Sequence, residues 1–148
     1  MASLKQLIPV TSAADRWRLA GLLVGDACSF LLFAAIGRAS HNEANAEALL
    51  LVVKTAAPFA IGWFVVAPFF GVYRQAVTSA LRPMLLRTAL AWVCAWPVAL
   101  LLRWLFTQEV PPVSFALVTL AFNLLFLGIW RGLFALVVRR LSLLKPRW

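Results

Sequence analysis

Four apolar stretches, at about Leu19–Ile36, Leu49–Phe70, Met84–Phe106 and Val113–Val138, take up well over half of the 148 residues. A helix that crosses a bilayer needs roughly 20 mostly apolar residues, and each stretch has that length. With 64% hydrophobic and 13% charged residues, the composition lies far from that of soluble domains, where apolar residues make up roughly half. The sequence predicts an all-α fold: an integral membrane four-helix bundle, antiparallel because the connections are short. The segments outside the stretches are too short to build a second core, since independent domains usually need about 50 residues.

The chain therefore divides into an N-terminal interfacial arm, 1–18, a transmembrane domain, 19–138, and a basic tail, 139–148. The first stretch is longer than a signal-peptide core, begins late and contains Asp26, so it is expected to be a retained helix. Cys28 and Cys94 lie inside apolar stretches and form no C-x-x-C pair. They are expected as small core residues rather than disulfide partners or metal ligands.

The formal charge of +9 would fit nucleic acid if it were gathered on one surface, but it is spread along the membrane boundaries, and no nucleic-acid role is expected. Lys5, Arg16, Arg18, Arg74, Arg82, Arg87, Arg139, Arg140, Lys145 and Arg147 fall on one side, Arg38, Lys54 and Arg103 on the other. The positive-inside rule then puts both termini in the cytoplasm and the chain in the cell's inner membrane as a multi-pass protein. The tail would lie against anionic headgroups of the cytoplasmic leaflet, each cation adding about 1 kcal/mol of attraction.

Proline sets the expected irregularities. Pro58 and Pro68 predict kinks in the second helix, and Pro83 opens the third, where a missing N–H is harmless. Val110-Pro111-Pro112 makes a tight hairpin into the fourth. Trp92 and Trp96 sit one turn apart well inside the third stretch. With Trp63 and Trp130 they form either an interhelical packing surface or a ledge for an aromatic ligand, and each buried indole N–H needs a partner.

Two charges lie too deep to reach water easily. Asp26 is eight residues beyond Arg18, and Arg131 is eight residues before Arg139, which puts both about 12 Å below the same face. Unpaired charge there costs at least about 2.5 kcal/mol, so an Asp26–Arg131 ion pair is expected. Gly21-x-x-x-Gly25 and Gly128-x-x-x-Gly132 flank the two residues and are expected to bring the first and fourth helices together. The pair either fixes helix register or belongs to a polar path continued by Thr119 and Asn123. At the other face, Arg38 with His41, the only histidine, is a candidate anion or headgroup site. One histidine without spaced partners points to no metal centre, and no cofactor is expected.

Gly25-Asp26, the run Phe33 to Arg38 followed by His41, Ala57-Pro58-Phe59 with Gly62-Trp63, and Trp130-Arg131 together resemble a domain-of-unknown-function family. Its members are small four-helix membrane proteins of bacteria, archaea and chloroplasts. The resemblance implies fold and membrane location and carries no activity. No nucleophile with an adjacent base, paired catalytic carboxylates or phosphate-binding glycine loop points to an enzyme. The favoured reading is a noncatalytic accessory, assembly or binding protein, meeting another membrane protein or a second copy of itself. The alternative is a small oligomeric transporter or channel with Asp26 and Arg131 in its polar path.

Overall fold

The computed structural model describes residues 12–39 and 47–144. Among them are five helices: α1 (Ala13–Ala39), α2 (Ala48–Val66), the single turn α3 (Gln75–Thr78), α4 (Leu81–Thr107) and α5 (Val113–Leu143). The fold is all-helical, and four segments, Ala13–Ala39, Ala48–Phe70, Leu81–Thr107 and Val113–Leu143, are long and apolar enough to span a membrane.

Local chemistry explains where the helices begin and end. The Ser12 hydroxyl accepts the Asp15 N–H at 3.1 Å and donates to the Asp15 carboxylate at 2.7 Å. This cap satisfies an N-terminal donor that no earlier turn can reach, so α1 starts at Ala13 and takes in residues 13–18. α2 continues through Pro58. Pro68 does not kink a continuing α-helix as expected; the chain tightens into a 3₁₀ turn, Ala67–Phe70, and stops at Gly71 with φ 63°. Only a residue without a side chain holds that left-handed conformation at low cost. Pro83 is the third residue of α4, where no intrahelical N–H bond is lost.

α1 packs on α2 and α5, and α4 packs on the same two, so the four long helices form a ring in which sequence neighbours run antiparallel and α5 closes against α1. The centre is aromatic. Phe30 of α1, Trp63 of α2 and Trp92 of α4 meet with centroids 5.4–6.4 Å apart, packed with Phe59 and Leu127. Outward faces are apolar as well, with Val24, Leu32, Val65, Leu90, Leu101 and Ile129 exposed, as expected of surfaces solvated by acyl chains. Cys28 and Cys94 lie on such outward faces, which corrects their assignment to the core: at their helical angles α1 and α4 have no neighbour.

The α1–α5 seam also differs from the expected contact of two glycine strips. On α1, Gly25 lies against the Trp130 ring, and a Cβ added at Gly21 would be 4.0 Å from Phe134. On α5, a Cβ added at Gly128 would meet nothing within 4 Å, while Gly132 faces Leu81 and Leu85 of α4. The seam is thus glycine on one helix and aromatic rings on the other. Four-residue spacing places Gly128 and Gly132 on one strip, but that strip points away from α1.

Candidate functional site

Asp26 lies in the middle of α1 and Arg131 in the second half of α5, both fully buried, and they meet in a bidentate pair. Arg131 Nε donates to Asp26 Oδ1 at 2.9 Å and Nη2 to Oδ2 at 2.5 Å. Two neutral donors complete the carboxylate: the Trp63 indole N–H and the Tyr73 hydroxyl, each 2.9 Å from Oδ2. Four donors on one carboxylate, two of them from a planar guanidinium, replace the hydration that Asp26 loses on burial.

Arg131 is enclosed in turn. Its Nη1 donates to the Val72 carbonyl at 3.1 Å and lies 3.8 Å from the Met84 sulfur. The guanidinium carbon stands 5.1 Å from the Trp63 ring centroid and 5.0 Å from that of Tyr73, within cation–π range. Trp63 and Tyr73 therefore serve both partners, holding the anion through N–H or O–H and the cation through the ring.

The connection from Gly71 to Ala80 makes this enclosure available. The segment Ala48–Phe70, 23 residues, is about 36 Å long and the 31-residue α5 about 46 Å, so the chain turns at Gly71 short of the end of α5. Val72, Val77 and Thr78 are buried as a result. Irregular backbone at such depth must be fully hydrogen-bonded. Gly71, Arg74, Val77, Thr78, Ser79 and Ala80 donate to carbonyls within this segment or the 3₁₀ turn, the Val72 carbonyl accepts from Arg131, and the Phe70 carbonyl from Arg87 at 2.8 Å. Arg18 of α1 donates to the Thr78 hydroxyl and fastens the same segment from the other side. Burial, reinforced by the carboxylate alongside, pushes the Tyr73 phenol well above its usual range, so it remains a donor.

The structure brings Asp26 and Arg131 together but does not join Thr119 and Asn123 to them. Thr119 bonds the Ala116 carbonyl at 2.8 Å and accepts the Trp96 indole N–H at 3.2 Å. Asn123 donates to the Thr119 carbonyl at 2.9 Å, and its own carbonyl oxygen, like the Thr88 hydroxyl, is buried without a hydrogen-bond partner. Asn123 lies eight residues, about 12 Å along the helix, from Arg131, and Leu127, buried in the aromatic cluster, stands between them. Trp92 and Trp96 are packing elements with their own partners: Trp92 donates to the Leu120 carbonyl and Trp96 to the Ala116 carbonyl, both at 3.0 Å. Trp130, against Gly25, has no hydrogen-bond partner for its indole N–H.

Arg38 donates to the Thr55 hydroxyl at 3.3 Å, and His41 lies outside the described residues. No group of three His, Cys, Asp or Glu that could hold a metal ion occurs among the described residues. Sequence reasoning missed Tyr73 and the Val72 carbonyl as partners of the pair. The available signal was a lone tyrosine two residues after Gly71, the glycine that ends the second span.

Four spans closed around a buried, fully bonded ion pair define a small multi-pass membrane protein. The model of the family described as protein of unknown function, DUF3054, matches residues 23–134, and the chain belongs to that family. The match runs from α1 to α5 and includes both members of the pair. No curated protein and no solved structure matches the chain.

Proposed function

We propose that this protein is a noncatalytic accessory, assembly or binding protein of the inner membrane, both termini in the cytoplasm, acting through its lateral surface on another membrane component. The observation that carries this reading is the sealing of its deep polar groups: Asp26, Arg131, Thr119 and Asn123 are all 0% exposed. A transport path needs such groups to line water or substrate. Here the carboxylate is saturated by protein donors, the guanidinium donates to the Val72 carbonyl as well, and Leu127 interrupts the line towards Asn123. The orientation is supported by the cations Arg16, Arg18, Arg74, Arg82, Arg87, Arg139 and Arg140, gathered at the end of the bundle where α1 begins and α5 ends.

Native isolation in mild detergent, after crosslinking in the membrane through the exposed Cys94, tests the proposal. The expected result is a second membrane protein crosslinked at stoichiometric yield. A self-assembled oligomer alone, combined with solute or ion flux in proteoliposomes that Asp26→Asn abolishes, would overturn it in favour of a transporter or channel.

A further inference from the structure

At the end of the bundle away from the termini, three cations on three different helices converge on one cleft: Arg38 near the end of α1, Lys54 in the first half of α2 and Arg103 near the end of α4. The cleft has a volume of about 440 Å³, and its wall includes Phe33, Leu51, Phe115 and Val118. Among the described residues, no acidic side chain lines it. Such a volume falls within the range of small-molecule sites.

The two arginines are held rather than trailing. Arg38 is fixed on the Thr55 hydroxyl. The Arg103 guanidinium stacks 4.3 Å from the Phe115 ring centroid, and its buried Nε has no hydrogen-bond partner. Glu109 is near enough to act on Arg103, yet no Arg103–Glu109 salt bridge forms among the described residues. Concentrating like charges is costly, and an anion between them would offset that cost. In a membrane protein this position corresponds to the level where phosphates meet acyl chains.

We infer that this cleft binds an anionic amphiphile, a phosphate or carboxylate group carrying an apolar chain, with Lys54, Arg103 and Arg38 on the anion and Phe33, Leu51 and Val118 along the chain. The inference is independent of the accessory reading, because it rests on none of the residues around the ion pair.

The test measures lipid retention by native mass spectrometry on the full chain in maltoside micelles, with dioleoyl phosphatidic acid, dioleoyl phosphatidylcholine and inorganic phosphate as probes. Phosphatidic acid should be retained, and Lys54→Gln or Arg103→Gln should each weaken it about tenfold, the effect of losing one charge-assisted hydrogen bond. Lys54 is exposed, so its variant keeps the fold. Arg139→Gln, at the opposite end, should leave retention unchanged. Equal retention of phosphatidylcholine, no loss in the Lys54 and Arg103 variants, or an equal loss in the Arg139 variant would overturn the inference. Displacement of phosphatidic acid by equimolar inorganic phosphate would also overturn it, by reducing the cleft to a free-anion site.

Discussion

Asp26 and Arg131, separated by 105 residues of sequence, form a two-point contact with Nε–Oδ1 at 2.9 Å and Nη2–Oδ2 at 2.5 Å. The contact joins the first and last spans, closes the helix ring, and lets the guanidinium satisfy the Val72 carbonyl in the inward turn. Replacing a buried pair by apolar residues is often neutral for stability, whereas removing one partner strands the other. The pair is therefore read as setting which helices meet and at what register, more than as a source of net stability.

Tyr73 is the only tyrosine, so its ionisation can be followed alone by ultraviolet absorbance. Its folded pKa lies above the ordinary value of 10.0. The proton it keeps contributes stability that is fully present below about pH 10 and is lost above it, because the unfolded chain releases that proton first. The predicted result is no phenolate signal in folded protein as the pH passes 10, with the signal appearing together with unfolding. A reversible titration near pH 10 in folded protein would show a phenol in water.

Tyr73→Phe and Trp63→Phe each remove one donor from the buried carboxylate while keeping a ring beside Arg131. Each should lower stability by about 1.5–3 kcal/mol, the value of a hydrogen bond to a charged group. Equilibrium unfolding in mixed detergent micelles measures the loss. A change below about 0.5 kcal/mol would be that of an ordinary surface position.

A Cβ added at Gly25 would collide with the Trp130 ring. Gly25→Ala should therefore destabilise by about 1–3 kcal/mol through overpacking, and Trp130→Ala in the same chain should relieve much of that clash. Gly128→Ala, with open space around it, should be neutral or stabilising by up to about 1 kcal/mol through helix propensity. Unfolding midpoints of the set distinguish the two glycines; equal losses would mean that both line the α1–α5 seam.

Gly71→Ala should cost about 1–2 kcal/mol from the left-handed backbone alone. Its Cβ would also lie 3.1 Å from Arg74 Cδ. Because the turn carries Val72 and Tyr73 to the pair, hydrogen exchange of the segment 71–80 should rise in this variant. Unchanged protection would separate the turn from the site.

Much of this is legible in the sequence, for physical reasons. Bilayer thickness converts run length into spans, and the rise per residue converts sequence distance from Arg18 and Arg139 into equal depths for Asp26 and Arg131. What stayed hidden depends on rotation and on irregular backbone. Spacing showed that Gly128 and Gly132 share a strip but not which neighbour that strip faces. Cys28 and Cys94 are apolar enough for core or lipid, and composition does not distinguish the two surfaces. The second apolar stretch ends at Phe70 in sequence and structure alike, but the roles of Tyr73 and the Val72 carbonyl depend on the chain after Gly71 turning inward, which hydropathy does not mark. The gathering of Arg38, Lys54 and Arg103 in one cleft depends on the ring order of the helices.

The most direct measurement is a double-mutant cycle on unfolding free energy with Asp26→Asn, Arg131→Gln and the double variant, in detergent at neutral pH. Each single substitution is predicted to cost about 3–5 kcal/mol, because it leaves one buried partner uncompensated. The double variant should cost at least about 1 kcal/mol less than the sum of the two, the mark of direct contact. Additive losses, or single variants as stable as the native chain, would contradict the claim that these two side chains join the first and last spans.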